Sequence, residues 1–160
     1  MAAASYIEMM IDSLNKKIAV LEEIDKLNNE QKVLFEQGEN MDEGAYDISI
    51  ERKSDLIDEL LRLDDGFVSL FENVKREMGD NKSKYSAEIK LIQDRIRRIT
   101  DLSGTIEVTE KRNKAVAEKY FNESRLRIKE SKQNSGAAIK YYQNMRGKNN
   151  IKPQFFDSKN

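Results

Sequence analysis

The 160-residue sequence predicts an all-α protein: an antiparallel bundle of three long, coiled-coil-like helices, followed by a short C-terminal amphipathic helix or a mobile tail. Two features of its composition support this fold class. Charged residues make up 36% of the chain, and it contains only one proline and seven glycines. In addition, apolar residues recur at alternating spacings of three and four. This combination is typical of long amphipathic helices.

The first helix is predicted over about residues 5–37. Ser5 and Glu8 form a capping box in front of an apolar series that repeats at helical spacing. The series begins with Ile7, Ile11, Leu14, Ile18 and Leu21. After Gln37, glycine, asparagine and aspartate cluster between Gly38 and Gly44, which predicts a turn.

The second and third helices are predicted over about residues 45–78 and 83–135. The apolar series of the second helix contains Leu56, Leu60, Leu63, Phe67, Leu70 and Val74. Polar and glycine residues from Gly79 to Ser83 separate the two helices. The third helix is either continuous or broken near Ser103 and Gly104, since a glycine inside a helix costs only about 1 kcal/mol.

These elements predict a helical bundle over residues 1–135 and a C-terminal partner-binding tail over residues 136–160. The tail combines basic residues with apolar and aromatic ones, which are too few to form a core of their own. It therefore either packs on the bundle or binds an apolar surface of a partner, as amphipathic helices do. The predicted partner-binding residues are Tyr120, Ile128, Ile139, Tyr142, Met145, Phe155 and Phe156.

The composition argues against catalysis. Without histidine or cysteine, the chain cannot form a thiol nucleophile, a Ser-His-Asp triad or a typical zinc site. Asp55 and Glu59 lie one helical turn apart, but a solvated acidic face explains them better than a metal site. Glycine-rich phosphate-binding motifs are absent from the sequence. We therefore expect a protein that is not an enzyme and that uses no cofactor and no metal.

Charge is distributed unevenly along the chain. Residues 1–80 contain 9 basic and 20 acidic residues, a balance of −11, whereas residues 81–160 contain 19 and 9, a balance of +10. Antiparallel folding would place acidic helices beside the basic third helix, so we expect no nucleic-acid binding. The sequence shows neither a secretory signal nor an apolar run of about 18 residues. It therefore predicts a cytoplasmic protein that does not insert into membranes.

The order of these features resembles that of flagellar type III export chaperones of the FlgN and FliT kind. The resemblance rests on the turn at Gly38–Gly44, on ERKSDLIDELLRLDDGF from Glu51 to Phe67, on the long basic third helix, and on the tail segments AIKYYQNMRG and PQFFDSKN. It implies a cytoplasmic chaperone that binds hook–filament junction or filament-cap subunits through its C-terminal region and delivers them to the export apparatus. No residue pattern separates the FlgN type from the FliT type.

Two other functions fit the residues. The chain could be a structural or adaptor coiled coil whose third helix pairs with its copy in a homodimer. Less favoured is a DNA-associated regulator that uses the basic residues of the third helix.

Overall fold

The computed structural model describes residues 5–122, Gly136 and residues 139–143. The described part is helical and contains no strand, which confirms the all-α fold class. Its α-helices are α1 (Tyr6–Glu36), α2 (Glu43–Asp64), α3 (Phe67–Met78) and α4 (Ser86–Phe121), with short 3₁₀ turns at Gly38–Asn40 and Lys82–Tyr85. Residues 139–143, called here the C-terminal segment, are also helical. Among these helices, none combines the length and apolar character that crossing a membrane requires.

The start of α1 follows the capping rule that predicted it. The Ser5 hydroxyl accepts a hydrogen bond from the backbone N–H of Glu8 at 3.1 Å. At the other end, Gly38 adopts a φ of 63°, a left-handed conformation that suits glycine after a helix. Asp42 then caps α2 by accepting a hydrogen bond from the N–H of Ala45 at 3.0 Å. The turn between the first two helices is therefore defined by local chemistry at both ends.

The predicted second helix is interrupted, which corrects the expectation of one helix over 45–78. Asp65 leaves the helical region with a ψ of 130°, and Gly66 follows with a φ of 75°. Glycine occupies this left-handed conformation readily because it has no Cβ. The apolar spacing continues across the break, so the pattern of apolar residues alone did not reveal it.

The third long helix, α4, is continuous through Gly104. It starts at Ser86 rather than near Ser83, because residues 82–85 form a 3₁₀ turn. Its described part ends at Phe121, so most of the remaining stretch predicted as helix, up to residue 135, lies outside the described residues.

Consecutive long helices run in opposite directions. Lys17 of α1 contacts Asp64 of α2, and Gln31 contacts Ser49, so rising numbers on α1 meet falling numbers on α2. Conversely, α1 and α4 are parallel: Glu22 contacts Arg98, and further along α1, Asn28 contacts Thr109. The bundle is therefore up–down–up, with α2 and α3 together forming the descending part.

The buried apolar side chains form two separate clusters. The larger cluster contains Ile7, Met10, Leu14, Leu21, Ile24, Leu60, Phe67, Val74, Met78, Ile92, Ile96, Ile99, Leu102, Ile106 and Tyr142. The smaller cluster contains Met41, Tyr46, Ala117 and Phe121, with Leu34, Phe35, Ile50 and Tyr120 partly buried against them. The smaller cluster lies at the end that holds the α1–α2 turn and the last described turn of α4, called here the distal end.

Candidate functional site

Aromatic side chains dominate the smaller cluster at the distal end. The Phe35 ring lies 5.4 Å from that of Tyr46, which in turn lies 5.4 Å from that of Phe121. The Phe121 ring meets Tyr120 edge-on at 4.7 Å between ring centres. Four aromatic rings from α1, α2 and α4 thus hold the three helices together at this end.

Tyr120, one of the predicted partner-binding residues, lies at the edge of this cluster and is partly buried. It lines an open pocket with Phe35 and Val116, and the charged residues beside it include Glu39 and Lys119. Aromatic residues in such half-buried positions are well suited to contacts with a protein partner, because they offer a large apolar area with a polar tip. The distal pocket is therefore a candidate protein-binding surface.

The C-terminal segment contains two predicted partner-binding residues, Ile139 and Tyr142. Ile139 is partly buried, whereas Tyr142 is 0% exposed and belongs to the larger cluster. In this structure Tyr142 is therefore a core residue, and its contact with a partner stays a prediction. An aromatic side chain in an amphipathic segment satisfies either role, and the larger cluster provides an apolar site for it.

Next to Tyr142, Tyr141 anchors the same segment through a polar contact. Its hydroxyl donates a hydrogen bond to Oδ2 of Asp64 at 2.9 Å. The other carboxylate oxygen of Asp64 accepts from Nζ of Lys17 at 2.5 Å, and the Lys17 and Asp64 side chains are both largely buried. One carboxylate thus links α1, α2 and the C-terminal segment.

A group of buried polar residues separates the two apolar clusters, called here the polar layer. Its members are Asn28 and Gln31 of α1, Ser49 and Lys53 of α2, and Thr109, Glu110 and Asn113 of α4. This layer was not predicted from the sequence.

Lys53 is the centre of the polar layer. Its Nζ donates to both carboxylate oxygens of Glu110, at 2.8 and 2.9 Å. It also contacts Oδ1 of Asn28 at 3.0 Å and Oε1 of Gln31 at 3.1 Å. The exposed fractions of the two charged side chains are 6% for Lys53 and 1% for Glu110. A buried ion pair of this kind requires such complete hydrogen bonding to offset its desolvation.

The remaining members of the polar layer bind one another. Asn28 donates to the Thr109 hydroxyl at 3.0 Å, and Gln31 donates to the Ser49 hydroxyl at 2.9 Å. Asn113 donates to the backbone carbonyl of Asn28 at 3.0 Å. The layer therefore connects α1, α2 and α4 through side chains that lie at matching levels of the three helices.

Burial shifts the pKa values of three groups in this region. Desolvation lowers the pKa of Lys53, although the charge and hydrogen bonds of Glu110 oppose the shift. Desolvation, and then the Asp64 carboxylate, raise the pKa of Tyr141. The pKa of Tyr142 is raised by burial first and then by the Glu110 carboxylate. The C-terminal segment therefore brings two protonated tyrosines close to two buried ion pairs.

The polar layer does leave a signal in the sequence. Tyr46, Lys53, Leu60, Phe67 and Val74 are spaced by seven residues, so Lys53 occupies a position of the apolar series. Glu110 lies seven residues after Ser103 and seven residues before Ala117, and both of these residues are buried on α4. A charged residue at such a position on each of two helices predicts an ion pair inside the bundle.

Within the described residues, Arg98 of α4 pairs with Glu22 of α1 on the surface, and this pair joins the basic and acidic halves of the chain. The buried pair of Lys53 with Glu110 has the reverse polarity, since its cation comes from the acidic half of the chain. The expected pairing of acidic and basic helices therefore does not describe the buried contacts.

Other predicted residues contribute less to this picture. Glu59 pairs with Arg62 on the surface of α2, and Asp55 is exposed, as expected for a solvated face. Ile128, Met145, Phe155 and Phe156 lie outside the described residues.

Comparisons of the chain with protein-family models, with curated proteins and with solved structures give no significant match.

Proposed function

We propose that this protein is a cytoplasmic, non-catalytic export chaperone that binds flagellar axial subunits, either hook–filament junction or filament-cap proteins, before their secretion. The proposal rests on the resemblance described above and on one structural observation. That observation is the distal pocket, an open site that Tyr120 lines at the last described turn of α4.

The chemistry of the distal pocket suits a helical protein client better than a small molecule. Phe35, Val116 and Tyr120 provide an apolar floor, while Glu39, Glu43 and Lys119 supply charges of both signs around it. An amphipathic helix would bury its apolar face on such a surface and keep its charged residues in water. Such an interaction requires no turnover and no cofactor.

The client's contact is proposed to extend from Tyr120 into the C-terminal region. Ile139 is partly buried, and its exposed part would contact the client. Tyr142 would join that contact only if the C-terminal segment left the larger cluster. The proposed surface therefore centres on Tyr120 and includes the predicted residues of the tail.

Capture from flagellated cells with the tagged full-length chain, followed by calorimetry with the purified client, tests the proposal. We expect Tyr120→Ala to weaken client binding at least about tenfold, as is usual for an aromatic residue at the centre of an interface. Tyr6→Ala is the matched control, because Tyr6 is an exposed tyrosine at the opposite end of α1. Equal affinities of the two variants would contradict a client site at the distal pocket.

A shortened chain separates the tail from the distal pocket. Ending the chain after Gln143 keeps Tyr141 and Tyr142 in place and removes the predicted contacts Met145, Phe155 and Phe156. If these residues bind the client, the shortened chain loses affinity for it. The circular dichroism signal of the bundle helices and the melting temperature should stay the same. Full affinity of the shortened chain would confine the site to the described surface.

A further inference from the structure

The apolar seams of the bundle repeat so regularly that they do not define how the helices are aligned along the bundle axis. On α4, Ile92, Ile99 and Ile106 are spaced by seven residues and are all buried. On α1, the same spacing relates Ile7, Leu14 and Leu21. A shift of α4 by seven residues, about 10 Å, would therefore replace one buried isoleucine by another.

The polar layer does not tolerate the same shift. A shift by seven residues would bring Ser103 or Ala117 to the position that Glu110 occupies opposite Lys53, and neither carries a charge. Lys53 has a similar constraint on its own helix, where its neighbours at seven residues are Tyr46 and Leu60. Each shifted arrangement would leave a buried ammonium without a counterion, which is strongly unfavourable.

The connection between α3 and α4 does not prevent such a shift. Residues 79–85 lie between these helices. When extended, seven residues span up to about 23 Å. Alignment of α4 must therefore come from contacts within the bundle rather than from the length of its connection.

From this arrangement we infer that the polar layer acts as an alignment lock: the buried pair of Lys53 and Glu110 selects one axial position of α4 against α1 and α2. Asn28, Gln31 and Asn113 reinforce the same position, because their hydrogen bonds join the helices at the same level. The larger apolar cluster supplies stability in each alignment, while the polar layer makes one of them the native structure.

Distance measurement between two spin labels tests this inference, and it does not depend on any client. The chain has no cysteine, so Asp12→Cys and Lys111→Cys provide exposed labelling sites on α1 and α4. Pulsed electron paramagnetic resonance on the otherwise unchanged chain should give a single distance. Adding Lys53→Met and Glu110→Leu removes both charges, and we expect a second population displaced by about 10 Å along the axis.

The matched control replaces an exposed ion pair between helices. Arg52 and Glu23 pair across α2 and α1 at 3.1 Å, with 57% and 34% of their side chains exposed. The control variant with Arg52→Met and Glu23→Leu should keep the single distance. A Lys53→Met, Glu110→Leu chain that also keeps this single distance would overturn the inference. Loss of helical circular dichroism in that chain would overturn it as well, because the layer would then be essential for stability and not only for alignment.

Discussion

The two apolar clusters belong to the same set of helices but differ in size and in residue type. The larger cluster is mainly isoleucine, leucine and methionine and receives side chains from all four α-helices and from Tyr142. The smaller cluster has four buried members and is dominated by aromatic rings. The polar layer interrupts the apolar seam between them. The difference indicates that the larger cluster carries most of the stability, while the distal end is the part best suited to binding.

The largest effect is expected from a single substitution in the polar layer, because it leaves one member of a buried ion pair without its partner. Glu110→Leu leaves the Lys53 ammonium buried without its counterion, and we expect a loss of about 3–5 kcal/mol in the free energy of unfolding. Urea unfolding at pH 7, followed by circular dichroism, measures it. Glu22→Leu removes a carboxylate from the exposed pair with Arg98 and should cost at most about 1 kcal/mol. Similar losses for both variants would contradict a special role of the buried pair.

A smaller effect is expected where the C-terminal segment joins the larger cluster. Tyr141→Phe removes a hydrogen bond to the Asp64 carboxylate and should cost about 1.5–3 kcal/mol. Tyr142→Phe should change stability by less than about 1 kcal/mol, because the Tyr142 hydroxyl has no hydrogen-bond partner among the described residues. Urea unfolding at pH 8 compares the two variants. Equal losses would show that the Tyr141 hydrogen bond does not anchor the segment.

The Tyr141→Phe variant also has a predicted pH dependence relative to the unchanged chain. In the unfolded chain tyrosine ionises near pH 10, whereas the raised pKa of Tyr141 keeps it protonated in the fold. Above pH 10 the unfolded state therefore binds fewer protons, and the free energy of unfolding falls as pH rises. Tyr141→Phe should reduce this fall between pH 8 and pH 11. The lowered pKa of Lys53 has the opposite effect on the free energy of unfolding. This effect is the same in the unchanged chain and in Tyr141→Phe, so it cancels when the two are compared.

The smallest expected effect is a difference in local opening between the two clusters under native conditions. Because the distal end buries fewer apolar side chains, we expect it to open locally without unfolding of the larger cluster. Native-state hydrogen exchange should show the amides of Ile50 and Ala117 exchanging at least about tenfold faster than that of Ile99. All three residues lie within helices, so the comparison is between clusters rather than between helix and loop. Equal protection would mean that the two clusters open together.

Local patterns predicted much of this fold because they reflect short-range physics. The N-cap at Ser5, the turn after Gln37 and the helical spacing of the apolar residues depend on residues close in sequence, and the structure agrees with all three. The break at Gly66 escaped prediction because apolar spacing persists across it. There, backbone conformation rather than hydrophobic pattern ends the helix.

The candidate site was less predictable. Tyr120 lies at an open pocket, which its apolar spacing along the helix did not predict. Tyr142 is also a tyrosine on an amphipathic helix, but it lies in the core. Which surface it meets depends on the tertiary arrangement of the C-terminal segment. Spacing along one helix does not specify which distant surface an aromatic residue will meet.

The sequence by itself determined that the chain forms long amphipathic helices, where α1 begins and ends, and which face of each helix is apolar. Heptad spacing contains that information because it relates residues one or two turns apart. Only the tertiary structure decided that Lys53 meets Glu110, that Tyr141 meets Asp64 and that Tyr142 is buried. These contacts join residues 57 and 77 positions apart in the first two cases. Their partners are selected by the cost of burying an unpaired charge and by the gain from covering an apolar site. Both contributions arise only when the helices pack.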